Sequence, residues 1–430
     1  MIDLKDLRER PDHYRRGAAN KNVDAGIDAI LALDGEHRAV QTQFEKLKAE
    51  QNLASQAIAK LKDPEEKKRA IADVGVLRTR VKEAEDAAKG LIDQLQQLLL
   101  RVPQPADPDV PVGKDASDNV VLYRWGEPRK FEFKPLSHIE IAKKHRLADF
   151  EAGVKLAGSR SYMLLGAGAE LHAAVTRFAV DLMVQGNGFS LVNVPVLVRE
   201  EAMLGTGFFP AGREQTYHVG EDNLFLTGTA EVGLTALHMG ATLDEKDLPL
   251  KYTALSTCFR REAGTYGKDT AGFYRVHQFD KVEQVVLCKN DEAESREWHA
   301  KMLGFSETFL QKLGLPYRVI QCCTGDIGVK NAAMMDVETW MPSRHDGKDE
   351  ATGFGETHSA SRLYEFQARR LNIRYKGADG KLRFVHTLNN TVAASPRILI
   401  PILENYQNAD GSITVPEVLR PYMGGRERIG

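Results

Sequence analysis

Hydrophobic residues recur at helical spacing through most of the first hundred residues of the chain. From Val40 to Leu61 they follow one another at intervals of 4 and 3 residues, and the same rhythm returns from Ala70 to Leu98. The polar sequence Lys62-Asp63-Pro64 separates the two segments. Two heptad segments around a tight polar turn predict an antiparallel helical hairpin, a coiled-coil arm. Each helix should run for about 25–35 residues, or ~40–50 Å.

The purpose of this arm is not decided by its periodicity. A narrow apolar seam buries only one face of each helix, so we expect the hairpin to project from the rest of the chain. It could be a dimerisation coiled coil, or it could reach a distant part of a large ligand. Residues 36–100 hold 12 Lys+Arg and 11 Asp+Glu, so their net charge does not choose between the two. Basic residues do cluster on the second helix, at Arg78, Arg80, Lys82 and Lys89.

Beyond the arm, strand-like and helix-like segments are interleaved. Residues 101–113 hold four prolines, which predicts an extended linker, and we place the boundary there, giving domains 1–103 and 104–430. Helical spacing occurs at residues 171–182, 295–313 and 396–405, and β-rich runs at 189–198, 250–260, 274–287, 317–321 and 382–386. There is no strict βαβ rhythm and no glycine-rich phosphate-binding motif. The pattern predicts an α+β fold with a mostly antiparallel sheet flanked by helices.

The composition is that of an ordinary soluble globular protein. Hydrophobic residues make up 42% and charged residues 27%, and the formal net charge is −2, so a polyanionic partner must be met by a local patch. No apolar run approaches the ~18 residues of a membrane span. The N-terminus is charged from Asp3 onward, unlike a signal peptide. The four cysteines form no C-x-x-C pair, so we expect a reduced, cytoplasmic protein without a zinc site.

Two of the β-rich runs carry charged side chains at alternating positions, which places those side chains on one strand face. Cys258, Arg260 and Glu262 share a face of the first run. The second run carries Arg275, His277, Phe279, Lys281 and Glu283 on one face, after a loop that contains Gly264, Gly267 and Gly272. Such a face is usually the solvent side of a sheet, and a lone phenylalanine is often part of the core. Arginines, glutamates and an aromatic ring together are nevertheless what a phosphate, an amine and a base would require.

These residues resemble motif 2 of the class II aminoacyl-tRNA synthetases, in the form found in the seryl-tRNA synthetases. The matching residues are Phe259-Arg260-Arg261-Glu262-Ala263-Gly264 and Arg275-Val276-His277-Gln278-Phe279-Asp280-Lys281-Val282-Glu283. Residues 229–231, 315–319, 323–326, 366–370, 386–389 and 415–422 are similar to the same family. That family also has an N-terminal antiparallel coiled-coil arm, so the resemblance covers essentially the whole chain.

The resemblance implies a class II synthetase catalytic domain and an ATP-dependent aminoacyl-tRNA ligase. Such an enzyme activates L-serine with ATP to seryl-adenylate and transfers the seryl group to tRNA(Ser), and to tRNA(Sec) where one exists. Activation is an in-line displacement at the α-phosphate, so positioning and charge neutralisation do most of the catalytic work. The resemblance further implies Mg²⁺, a homodimer built on the first motif (residues 171–195), and an arm that grips the tRNA.

The same resemblance assigns the nucleotide contacts. Arg260 would bind the α-phosphate and orient the serine carboxylate, while Arg275 and Arg397 would reach the γ-phosphate. Glu262 would face the adenine amino group, and Phe279 would stack on the ring. The full set implied for ATP is Arg260, Arg261, Glu262, Arg275, Val276, Phe279, Glu356, Thr357, His358, Ser359 and Arg397, of which Arg260, Arg397 and Glu356 are the catalytic residues.

The serine and metal contacts are implied in the same way. Glu283 would hold the serine ammonium, and the remaining serine contacts would come from Thr229, Ala230, Glu231, Asn389 and Thr391. Glu356 and Ser359 would bind Mg²⁺, with Glu350 as a competitor. The stretch between Ser343 and Glu356 is longer and more polar than in the family, and Ala394 and Pro396 stand where its third motif usually has flexible residues.

Two further functions remain open from the sequence. A catalytic relative could charge a carrier protein with an amino acid, although the complete arm argues against it. A non-catalytic RNA-binding or scaffold protein could keep the fold, but it would have no need for Arg260, Glu262, Glu283 and Arg397 together.

Overall fold

The computed structural model describes residues 1–264 and 269–430, and Gly267 of the predicted loop lies outside them. The chain divides into two compact units. One comprises residues 2–19 and 23–103, and the other comprises residue 1, residues 20–22 and residues 104–430. Within the described part of the chain, none of the helices combines the length and the apolar character that a membrane crossing needs.

The first unit is entirely helical. Its helices are α1 (Leu4–Glu9), α2 (Pro11–Asn20), α3 (Ile27–Ile58) and α4 (Pro64–Leu99). Helices α3 and α4 have 32 and 36 residues and pack against each other along Phe44, Leu47, Leu77, Val81 and Ala84. The Asp63 side chain accepts hydrogen bonds from the backbone N–H groups of Glu65 and Glu66, and Pro64 occupies the first turn, so α4 begins with a strong N-cap. The predicted helical hairpin is therefore confirmed.

The second unit is built on one large sheet. Its strands are β1 (Val120–Trp125), β2 (Ala148–Asp149), β3 (Met163–Leu164), β4 (Ser190–Leu191), β5 (Leu197–Val198), β6 (His218–Val219), β7 (Leu224–Leu226), β8 (Thr242–Asp244), β9 (Leu250–Phe259), β10 (Gln278–Cys288), β11 (Tyr317–Gln321), β12 (Ala333–Trp340), β13 (Phe354–Tyr364), β14 (Arg374–Lys376), β15 (Leu382–Phe384), β16 (His386–Ser395), β17 (Ile413–Thr414) and β18 (Arg428–Ile429). Eight of them form the sheet in the order β1-β11-β12-β13-β16-β10-β9-β4. Every neighbouring pair in it is antiparallel except β4 with β9.

Helices cover one face of this sheet and part of the other. They belong to the set α5 (His138–Lys144), α6 (Phe150–Ala157), α7 (Ala167–Asp181), α8 (Glu200–Gly205), α9 (Glu231–Ala236), α10 (Glu292–Lys312), α11 (Phe366–Leu371) and α12 (Leu399–Asn405). Phe178 of α7 stacks on Phe309 of α10, and both belong to the main core with Val286, Leu388 and Val392 of the sheet. The prediction of a mostly antiparallel sheet flanked by helices is confirmed.

The predicted strand at residues 189–198 is instead two short strands in different sheets. Strand β4 pairs with β9, whereas β5 pairs with β7. Between them lies Pro195, which has no N–H to donate to a ladder. Strand β10 also starts at Gln278 rather than Tyr274, so the four residues before it approach the sheet as irregular chain.

Strands β12, β13 and β16 were not among the predicted runs. Their residues are buried along almost the whole length of each strand, on both faces of the sheet, so the sequences lack the clean apolar–polar alternation of a half-exposed strand. All four cysteines are free and buried.

Candidate active site

A pocket opens where strands β9, β10, β13 and β16 meet. It is lined by Arg260, Glu262, Phe273, Tyr274, Arg275, Val276, Phe279, Lys281, Glu356, Thr357, Thr391, Ala394, Pro396 and Arg397. An adjoining cleft shares Arg260, Glu262, Arg275, Glu356 and Arg397 with it and adds Phe208 and Gly228. Three arginines and two glutamates from four separated segments therefore converge on one space.

The end of β9 and the segment before β10 supply the cationic wall. The Arg260 side chain is exposed, with its Cζ 5.2 Å from the centre of the Phe279 ring, and its Nη2 donates only a long 3.5 Å bond to the Gly228 carbonyl. Arg275 donates from Nη1 to Glu262 Oε2 at 2.7 Å. Glu262 has φ +52°, a left-handed backbone that a side-chain-bearing residue adopts at a cost of about 1 kcal/mol or more. Such strain is common at binding sites, where the surrounding structure holds it.

Arg397 forms the opposite wall. Its Nε donates to the Tyr274 carbonyl at 3.0 Å and its Nη1 donates to the Glu356 carbonyl at 3.1 Å, while the Glu356 carboxylate lies 3.5 Å away. Burial lowers the pKa of Arg397, but the Glu356 carboxylate and nearby acids more than offset this and raise it. The guanidinium is therefore held charged and fixed in orientation. Arg344, from the long polar stretch, also lies over the Tyr274 ring at 4.2 Å.

Deeper in the sheet, two carboxylates lie beside two ammonium groups. Glu283 of β10 is almost fully buried next to Lys281, and Glu231, the first residue of α9, is ion-paired with Lys330. Burial raises the pKa of Glu283, the Lys281 ammonium opposes that rise, and the Glu231 carboxylate adds to it. Thr391 of β16 lies directly across from Glu283 in the strand ladder.

Two of the other residues predicted to contact serine, Thr229 and Ala230, lie immediately before Glu231 in the chain. Thr229 Oγ1 accepts a 3.2 Å bond from the Glu231 backbone N–H. The Ala230 side chain packs into the core rather than into the pocket. Asn389 is buried, and its Nδ2 has no hydrogen-bond partner among the described residues. A buried amide without a partner, two residues along β16 from the pocket-lining Thr391, is suited to bind a polar substrate group.

Strand β13 carries the residues predicted to bind Mg²⁺. Glu356 projects into the pocket, and Ser359 lies across the ladder from Asp336 of β12. Burial and the Glu356 carboxylate raise the pKa of Asp336, although Ser359 and Cys322 lower it. Asp336 also lies beside the buried Cys322 and the half-buried Asp326, and the possible ligating atoms of the three lie within 4.8 Å of one another. Glu350, the competitor to Glu356, pairs with Arg124 on the edge strand instead.

Three of the predicted nucleotide contacts, Arg261, His358 and Ser359, do not line the pocket. The His358 ring lies on the helix-covered face of the sheet, where Nε2 is 2.9 Å from the Val392 carbonyl, and burial lowers the pKa of His358 to about 4. A bulge opposite residues 337 and 338 makes Glu356 and Thr357 both face the pocket and sends His358 to the other side. Arg261 is exposed and lines neither the pocket nor the adjoining cleft.

Sequence reasoning missed Tyr274, Lys330 and Arg344. Tyr274 belongs to the segment that was predicted to be strand, so alternation placed it on the wrong face. Lys330 and Arg344 lie in connections between strands, where no periodicity relates a residue to a face. Lys281 had a usable signal, because alternation put it on the same face as Phe279 and Glu283.

Comparisons with known proteins find the same relatives for both units. Residues 1–105 match the family model described as the seryl-tRNA synthetase N-terminal domain. Residues 216–406 match the model of the tRNA synthetase class II core domain (G, H, P, S and T). The serine–tRNA ligase of Deinococcus radiodurans is 45% identical over 430 residues, which is 100% of this chain and 99% of that relative.

Two solved structures are similar over nearly their whole length. The seryl-tRNA synthetase from Pyrococcus horikoshii, complexed with ATP, has a TM-score of 0.91 and 38% identity, covering 100% of this chain and 99% of that one. The cytoplasmic serine-tRNA ligase from Naegleria fowleri, in complex with AMP, has a TM-score of 0.86 and 31% identity, covering 97% and 95%.

Proposed function

The chain belongs to the seryl-tRNA synthetase family, and from that premise we propose how its residues divide the work. It is an ATP-dependent serine–tRNA ligase, which forms seryl-adenylate and then charges tRNA(Ser). The observation that carries the assignment of residues is the convergence of Arg260, Arg275 and Arg397 on one pocket beside the buried Glu231 and Glu283.

In the activation step, a serine carboxylate oxygen attacks the α-phosphorus of ATP and pyrophosphate leaves. Arg260 neutralises the α-phosphate and aligns the attacking carboxylate, because its exposed guanidinium is free to fork between two anions. Arg275 and Arg397 take the γ-phosphate, and the backbone at Val276 lies along the nucleotide. No enzyme nucleophile is required, so charge placement accounts for most of the rate.

The adenine ring stacks on Phe279, with Glu262 accepting from its amino group. ATP therefore replaces the Arg275–Glu262 ion pair with two contacts of its own. Its γ-phosphate binds the Arg275 guanidinium, and its adenine amino group binds the Glu262 carboxylate. Thr357 lines the same pocket, whereas we assign no side-chain contact to His358 or Arg261. The part of His358 that can meet the nucleotide is its backbone.

The serine ammonium binds Glu283, and the hydroxyl is recognised by Thr391 and Asn389, with Thr229, Glu231 and the Ala230 backbone on the other side. A pocket built to hydrogen-bond a hydroxyl rejects alanine strongly, because its polar groups would then be buried without partners. The unpartnered Asn389 amide supports this arrangement.

We assign Mg²⁺ to Glu356 and Ser359. The donor set fits, since a carboxylate and a hydroxyl supply the hard oxygen ligands that Mg²⁺ prefers, and the phosphates supply the rest. When bound, the ion neutralises charge on the phosphate oxygens. Glu356 additionally holds Arg397, so one carboxylate orients both a protein cation and the metal.

Replacing Glu356 with glutamine should raise the Mg²⁺ concentration needed for half-maximal ATP–pyrophosphate exchange and lower the maximal rate. We expect a loss on the order of 10²-fold, because several kcal/mol of charge stabilisation depend on the ion. The matched control is Glu350→Gln, in the same polar stretch but paired with Arg124. If the control shifted the Mg²⁺ requirement and Glu356→Gln did not, Glu350 would be the ligand.

The whole assignment is tested by ATP–pyrophosphate exchange with each amino acid in turn, in the absence of tRNA. Exchange should be stimulated by serine alone, with alanine and threonine near background. Exchange driven by another amino acid would contradict the serine pocket, and silence with every amino acid from folded protein would contradict the catalytic assignment.

For the remaining parts of the molecule, we propose that residues 1–103 are a tRNA-binding domain and residues 104–430 the catalytic domain. The arm grips tRNA(Ser), and tRNA(Sec) where one exists, through its shape and backbone. The enzyme works in the cytoplasm as a homodimer built on residues 171–195. Support for the dimer comes from β4, an edge strand of the large sheet whose Leu191 is 56% exposed.

A further inference from the structure

The proposed serine subsite includes the glutamates of two buried lysine–glutamate pairs, and the reaction as described above uses only these glutamates. The Lys281 and Glu283 side chains are 8% and 2% exposed, and those of Lys330 and Glu231 are 14% and 5% exposed. A buried ion pair adds little net stability, because desolvation of the two charges offsets their attraction. The second pair therefore calls for a role other than stability.

Lys330 reaches this position from a turn between β11 and β12, and the neighbouring chain is shaped to admit it. Gly207 has φ +81°, and a Cβ there would come within 3.3 Å of Lys330 Cβ and 3.1 Å of the Phe366 ring. The Lys330 Nζ lies 3.9 Å from the centre of the Phe208 ring, which lines the cleft next to the pocket. Packing thus fixes the positions of both the aliphatic part and the ammonium group of Lys330.

At its far end, Lys330 fixes one oxygen of Glu231. Lys330 Nζ and Gln367 Nε2 both donate to Glu231 Oε1, the latter at 2.7 Å. Gln367 is itself locked, since its Nε2 also donates to the Thr206 carbonyl and its Oε1 accepts from Thr387. Two fixed donors on Oε1 set the plane of the carboxylate and leave Oε2 for a substrate donor.

We propose that Lys330 is a positioning residue for the amino-acid substrate, which acts by orienting Glu231 and compensating its charge. This inference rests on the proposed assignment of Glu231 to the serine subsite. With both lysines in place, the two glutamates are neutralised, and a zwitterionic α-amino acid can enter without leaving a buried charge uncompensated.

The test is ATP–pyrophosphate exchange by the Lys330→Met variant. We expect the KM for serine to rise about 10- to 100-fold, the effect of losing a hydrogen bond to a charged group, while the KM for ATP stays within about twofold. A matching rise in both KM values would overturn the proposal, and so would an unchanged KM for serine. If methionine prevents folding, Lys330→Gln, which keeps a hydrogen-bond donor without the charge, replaces Lys330→Met in the test. Its KM for serine should rise less, and its KM for ATP should again stay nearly unchanged.

Lys21→Met is the matched control for distortion of the turn. Lys21 is also a buried lysine, and its Nζ donates to the carbonyls of Gly328 and Asn331, on either side of Lys330 in the chain. It makes no contact with Glu231, so this variant should keep the wild-type KM for serine. If it raised that KM as much as Lys330→Met, the effect would come from the turn and not from Glu231.

A double-mutant cycle then tests whether Lys330 acts through Glu231. Adding Lys330→Met to Glu231→Gln should raise the KM for serine by no more than about twofold beyond Glu231→Gln alone, because coupled residues are not additive. Full additivity would overturn the proposal. Wild-type protein that shows no serine-dependent exchange would instead contradict the proposed function, whatever Lys330 does.

Discussion

The Arg260→Ala variant should lose serine-dependent ATP–pyrophosphate exchange by about 10³-fold or more, in line with the removal of a guanidinium that stabilises a transferring phosphoryl group. The expected loss is large because Arg260 is assigned two anions, the α-phosphate and the attacking carboxylate. The defect should appear mainly in kcat, since the charge that Arg260 meets grows as the transition state forms. Steady-state exchange across a range of serine and ATP concentrations separates the effect on kcat from the effects on the KM values.

The fold of this variant should be unaffected. The Arg260 side chain is exposed, and its contacts with described residues are a 3.5 Å bond to the Gly228 carbonyl and the Phe279 ring, so the melting temperature of the variant should match that of the wild type. Arg124→Ala is the matched control, because Arg124 lies 5.4 Å from the centre of a phenylalanine ring, much as Arg260 does, but outside the pocket. Exchange at more than about a tenth of the wild-type rate in Arg260→Ala would remove this residue from the catalytic set.

Shortening the arm should separate the two half-reactions. Deleting residues 41–87 and joining the ends with a short glycine–serine turn keeps Ile30, Leu95 and Leu99, which are buried at the base of the hairpin. Serine-dependent pyrophosphate exchange should remain within about twofold of the wild type, whereas charging of tRNA(Ser) should fall by at least about 10²-fold because RNA backbone contacts are lost. Aminoacylation with labelled serine at several tRNA concentrations measures the second effect.

A charge-reversal variant tests the same assignment in the full-length arm. Four of the exposed basic residues of α4, Arg78, Arg80, Lys82 and Lys89, are changed to glutamate, and tRNA charging should weaken with little change in stability. The matched control reverses Asp73, Glu83, Glu85 and Asp86, also exposed on α4, to lysine, and charging should persist. Normal tRNA charging by the variant that lacks residues 41–87 would show that the arm does not bind tRNA.

Prediction from sequence succeeded where one periodicity runs uninterrupted. The arm was predictable because a 3.5-residue apolar repeat leaves only one way to bury a seam, and its turn is marked by Asp63 and Pro64. On β10, alternation correctly grouped Phe279 and Lys281 on the pocket side, since the ladder with β9 is regular there.

Elsewhere the site depends on departures from periodicity. The bulge at β13 changes which neighbours of Glu356 face the pocket, and an extra residue in a strand leaves no mark in the sequence pattern. Lys330 and Arg344 come from connections whose paths are set by tertiary packing, such as the glycine at 207 that admits Lys330. The resemblance to a known family supplied residue roles, but it could not supply contacts made by residues outside the family's motifs.

The four buried cysteines have a practical consequence for observing this enzyme at work. Burial raises the pKa of Cys258, of Cys322 and of Cys288, the last to about 12, so these thiols present almost no thiolate to an alkylating reagent. Cys323 is likewise shielded from solvent. A single cysteine introduced at an exposed position of the arm, such as Ser55, would then take up a maleimide fluorophore in a chain that keeps all its native thiols. The capture and release of tRNA could be followed optically, without first rebuilding the core of the protein.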